Sequence, residues 1–76
     1  MSVPRFTDEM AIPLKRVMLA CAPTFVFSPE DVDALVEETG LIKGQVQRWA
    51  AHFRIRWGSK TVDEVMDFLR GIEKVT

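Results

Sequence analysis

The sequence predicts an all-α fold, and three observations carry that expectation. Apolar residues recur at helical spacing in four segments, start and stop signals bound those segments, and no alternating strand pattern or Asn-Gly or Asp-Gly hairpin signal interrupts them. At 76 residues the chain makes one domain, which buries only roughly 60% of the surface its unfolded form exposes. A large catalytic pocket is not expected. An apolar fraction of 47% with 28% charged residues belongs to a globular domain, neither disordered nor membrane-spanning.

The first helix is expected from Ile12 to Ala22. Pro13 suits a first helical position, where its missing N–H costs nothing, and Leu14, Val17, Met18 and Cys21 follow at i, i+3, i+4, i+7. Residues 1–11 then read as an N-terminal arm, because a helix continuous through Pro13 would lose a hydrogen bond and meet a clash. Pro23 stops this helix. Ser28-Pro29-Glu30-Asp31 supplies an N-cap, a first-turn proline and acids favoured by the helix dipole. Val32, Leu35 and Val36 give the second helix its buried stripe, and Gly40 is placed to end it in the left-handed conformation. A third helix is expected from Ile42 to Trp57, ended by Gly58, so residues 12–58 form a three-helix core. Thr61 with Glu64 makes a capping-box pattern for a C-terminal amphipathic helix over 61–75. Its stripe of Val62, Val65, Met66, Leu69 and Ile72, with Phe68 beside them, must be buried, either on the core or against a partner.

Cys21 is the only cysteine, which excludes an internal disulfide and any cysteine-rich zinc cluster, and a reducing compartment fits best. The start, Met1 to Phe6, lacks the apolar region of an export signal, and no apolar run approaches the roughly 20 residues a membrane span needs. His52 is the only histidine and has no second ligand near it in sequence. No carboxylate pair is placed for acid/base work. No enzyme, cofactor, metal or small-molecule substrate is expected.

Ten Lys+Arg against eleven Asp+Glu give a net charge of −1, which at first argues against nucleic acid. The charges are segregated, however. Residues 28–38 hold five acids and no base, whereas residues 39–62 hold Lys43, Arg48, Arg54, Arg56 and Lys60 and no acid. A partner meeting only the third helix would meet a positive surface. At 100° per residue, Ile42, Val46, Trp49, Ala50, Phe53 and Trp57 share one face of that helix, the expected core. Arg48, Ala51 and Ile55, flanked by Gln47 and His52, take the opposite face, with Arg54 and Arg56 on the shoulders. A helix in a major groove needs this arrangement: central side chains for base edges and flanking cations for phosphates.

The run Gln45-Val46-Gln47-Arg48-Trp49, followed by Arg54-Ile55-Arg56-Trp57, resembles the third helix of a homeodomain, whose pattern is Gln-Val-x-x-Trp-Phe-x-Asn-Arg-Arg-x-Lys-Trp. The resemblance extends without gaps over about residues 5 to 58, through Val17, Cys21, Phe27, Val32, Leu35, Val36 and Leu41. It implies a three-helix, helix-turn-helix bundle to which the C-terminal helix is an addition. It also implies a nuclear DNA-binding module in transcription regulation. Arg48, Ala51, His52 and Ile55 would face bases, Lys43, Gln45, Arg54, Arg56 and Lys60 would hold phosphates, and Arg5 would be what remains of a minor-groove arm. The departures that matter are Ala50 for the pattern's Phe, His52 for its adenine-reading Asn, and Phe53 for the following Arg. Ala50 and Phe53 lie on one face, so the second change can refill the space the first leaves. The His52 change leaves open an alternative, a homeodomain-derived protein-interaction module. Val65, Met66, Leu69 and Ile72 would then face a protein partner or a second copy.

Overall fold

The computed structural model describes residues 4–75, with side chains through Gly71. Four helices account for the fold: α1 Asp8–Ala20, α2 Pro29–Thr39, α3 Lys43–Trp57 and α4 Val62–Val75. There is no strand among the described residues, and no helix there is long and apolar enough to cross a membrane. α1 packs on both α2 and α4, and α2 packs on α3.

The starts of α2 and α4 follow their expected chemistry. Ser28 Oγ accepts from the Asp31 N–H at 3.1 Å while Asp31 Oδ2 accepts from the Ser28 N–H at 3.0 Å, and Pro29 occupies the first turn. Glu64 and Thr61 repeat the reciprocal arrangement at α4, with bonds of 3.2 Å in each direction. Gly40 ends α2 at φ +80°, a conformation that any side chain would strain. Only Leu41 and Ile42 then separate it from α3. Gly58 has a different reason to be glycine: a Cβ there would stand 2.9 Å from the Arg54 carbonyl oxygen.

The beginning of α1 departs from expectation. The helix starts at Asp8 and runs through Pro13, so the segment preceding it ends at Thr7 rather than at residue 11, and its first three residues lie outside the described part. The carbonyl that the Pro13 ring crowds belongs to Glu9, in the first turn, where the Met10 N–H bonds the Thr7 carbonyl at 3.1 Å in the tighter i→i+3 manner. At a helix end such a carbonyl can tilt outward. Met10 also packs on the core, which draws this extra turn onto the bundle. Cys21 is half-buried rather than buried. Its Sγ lies 3.5 Å from Asp31 Oδ2, and burial, followed by that bond and that negative charge, raises the thiol above its ordinary pKa. Ile42, placed in the core by its wheel angle, precedes the first turn of α3 and is 48% exposed.

Two buried clusters hold the helices together. Leu14, Val32, Leu35, Leu41 and Val46 join α1, α2 and α3, while Met18, Phe25, Ala50, Phe53, Val65 and Leu69 join α1, α3 and α4. Phe27 and Trp49 pack against both and stack on each other, with 6.2 Å between ring centres and 7° between planes. Val65 and Leu69, expected as a possible partner surface, are 3% and 2% exposed. Each gains roughly 1.5–3 kcal/mol by leaving water, which favours docking α4 on the core over leaving its stripe exposed. Met66 is half-buried on the same cluster, and the Ile72 side chain lies outside the described residues.

Candidate nucleic-acid interface

α3 is fixed along its whole length before its outer face is considered. Val46, Ala50 and Phe53 are buried, Trp49 and Trp57 half-buried, and at the N-terminus Gln45 Oε1 accepts from the Ile42 N–H at 3.0 Å. Phe25 braces the other end. Its backbone adopts φ +55°, costing about 1–2 kcal/mol for a non-glycine residue, and its ring is buried 6.4 Å from that of Phe53. In that conformation its carbonyl accepts from Arg54 Nη1 at 3.3 Å.

The face opposite the core presents Arg48, His52 and Ile55 to solvent, with Ala51 half-exposed beside them, and Ile55 is 79% exposed. These four expected base-facing residues therefore lie together on one free surface. Lys43 is exposed at the start of the helix, Arg54 and Arg56 are exposed in its last turn, and Lys60 is exposed just beyond it. Gln45, expected to hold a phosphate, is occupied within the chain instead. Besides capping α3, its Nε2 donates to the Pro4 carbonyl at 2.6 Å. That bond brings the exposed Arg5 next to the N-terminus of α3. Among the described residues, no group of three or more His, Cys, Asp or Glu side chains could hold a metal ion.

Sequence reasoning did not single out Lys15, and it placed Phe68 only beside the apolar stripe of α4. Lys15 on α1 and Phe68 on α4 meet at the edge of the α3 face, Lys15 Nζ lying 5.0 Å from the Phe68 ring centre. With His52, Arg56, Trp49 and Trp57 they line a cleft of about 240 Å³. The periodicity of α1 and α4 marks which faces they bury. It does not tell which side chains of the two helices meet once both lie on α3.

No protein-family model, curated protein or solved structure matches the chain. The likeness of α3 to a homeodomain recognition helix thus rests on the residues quoted above.

Proposed function

We propose that the chain is a homeodomain-like DNA-binding module, acting in the nucleus in transcription regulation, that lays the outer face of α3 in the major groove. The observation that carries this reading is the arc of Arg48, Ala51, His52 and Ile55, free of the core and flanked by cations at both ends of the helix. Arg48 suits a guanine edge, and Ala51 and Ile55 suit thymine methyl groups. His52 can donate a single hydrogen bond where an amide would make two. Lys43 adds a second argument. It occupies the first turn of α3, which holds no acid, although the positive end of the helix dipole there favours one. A phosphate would turn that local cost into a gain.

The test is titration with random-sequence duplex at low salt, followed by amide chemical shifts. Arg48→Ala and Arg56→Ala should weaken binding, and loss of one phosphate contact should reduce the slope of log K against log salt by about 0.9. No binding below millimolar concentration would end the proposal. The protein-interaction alternative draws on His52 and on the apolar Ile55 at the centre of the face. With Val65 and Leu69 buried, it would use α3 rather than α4, and its partner would be sensitive to Ile55→Ala.

A further inference from the structure

The cleft beside the recognition face has a composition that the duplex reading does not require. Its floor is aromatic. Trp49, Phe53 and Trp57 form a ladder along α3, with ring centres 5.3 Å and 6.3 Å apart, and Phe68 of α4 closes on Trp57 at 4.5 Å. Its rim is cationic: Lys15 from α1 and Arg56 from α3 stand with His52 around the rings, and no carboxylate lines the cleft among the described residues. Burial alone does not explain this pairing. Phe68 remains 39% exposed, and Lys15 is held over it by a cation–π contact rather than directed toward an acid.

A quaternary ammonium would suit the rings but not the surrounding positive charges. A plain phosphate would suit the charges and leave the rings idle. One class of ligand uses both, a nucleotide whose base stacks and whose phosphates are neutralised. At about 240 Å³ the cleft is smaller than the roughly 300–1,000 Å³ of small-molecule pockets, so it has room for one such unit of a longer strand. We propose that this cleft binds unpaired, single-stranded DNA, with one base stacked on Trp57 and Phe68 and the adjoining phosphates held by Lys15, His52 and Arg56. The choice of DNA rests on the reading of α3, because His52 and Arg56 belong to both surfaces. The stacking site itself does not depend on that reading.

The chain's two tryptophans both line the cleft, so its intrinsic fluorescence reports on the site directly. Titration of the intact chain with a five-nucleotide oligo(dT) should give saturable quenching. Its log K should fall with log salt at a slope of about −1.4, the value for two single-strand phosphates neutralised by Lys15 and Arg56. Phe68→Leu should weaken binding roughly tenfold, as expected for losing one stacked base. Lys15→Gln, which keeps the aliphatic stem, should lower affinity and reduce the slope by about 0.7. Arg48→Ala should leave the quenching unchanged while weakening duplex binding. No saturable quenching, or quenching lost in Arg48→Ala and untouched by Lys15→Gln and Phe68→Leu, would overturn the cleft as the site. If oligo(dT) binding persists as described while duplex binding fails, the α3 reading falls and the cleft stands.

Discussion

Between α1, α2 and α3 the interior is aliphatic, built from Leu14, Val32, Leu35, Leu41 and Val46, three of which have no exposed surface. Between α1, α3 and α4 the rings of Phe25 and Phe53 join Met18, Ala50, Val65 and Leu69, and rings continue outward through the half-buried Trp49 and Trp57 to the exposed Phe68. Branched aliphatic side chains interdigitate and seal their region, fixing the α2–turn–α3 geometry. Flat rings stacked along one helix leave edges that neighbouring helices do not cover. In this molecule the fully enclosed packing therefore lies on one side of α3 and the accessible ring edges on the other.

The largest way to break that contrast is at Phe53, whose ring neighbours those of Phe25, Trp49, Trp57 and Phe68. Phe53→Ala should lower the unfolding free energy by about 3–5 kcal/mol in a urea titration. Ala50→Phe alone should cost about 1–3 kcal/mol through overpacking. If the two positions share one volume, the double variant Ala50→Phe/Phe53→Ala should be more stable than the two separate losses imply, with a coupling of at least about 0.5 kcal/mol. Simple additivity would mean that the two positions fill separate spaces.

The helix caps sharpen the comparison on a smaller scale. Ser28 starts a helix in the aliphatic half and Thr61 one in the aromatic half. Ser28→Ala should lower global stability by about 1 kcal/mol. Thr61→Ala should act more locally, speeding amide exchange in the first turn of α4 before it moves the global transition.

The smallest expected effect is with acid. Asp31 is held below the ordinary carboxylate range chiefly by the Ser28 backbone N–H, and Glu64 chiefly by that of Thr61. Both depressed groups stay ionised to lower pH in the folded chain than in the unfolded one, so the unfolded chain binds more protons there. The stability they contribute is complete above their ordinary range and declines as pH falls through the folded-state values. Urea midpoints between pH 6 and pH 3 should show a shallow decline that Asp31→Asn and Glu64→Gln each flatten. Glu64 is exposed and Asp31 only half-buried, which keeps the effect small.

Local signals were legible wherever they needed no tertiary partner. The Ser28 and Thr61 caps, the Gly40 stop and the buried Val46, Ala50 and Phe53 could all be read from spacing and residue type. Where distant contacts decide, the sequence was less informative. Pro13 reads as a helix start until Met10 is seen to pack on the core, and Ile42 reads as core until the turn lifts it to the surface. Gln45 shows the same limit at the candidate interface. Nothing in its local sequence indicates that Pro4 will stand within hydrogen-bonding distance. Lys15 and Phe68, 53 positions apart, become neighbours only through the docking of α1 and α4.

The hydrogen bond from Arg54 to the Phe25 carbonyl reaches across 29 positions of the chain. A long cation on a helix surface usually samples many rotamers, and immobilising one on association costs about 0.5–1.5 kcal/mol. Here one of the guanidinium's five donors is already anchored, while the side chain remains exposed and the other donors can still be shared. An anion arriving at the end of α3 meets a receptor that is standing in place. Its capture at Arg54 should be limited by collision rather than by side-chain rearrangement.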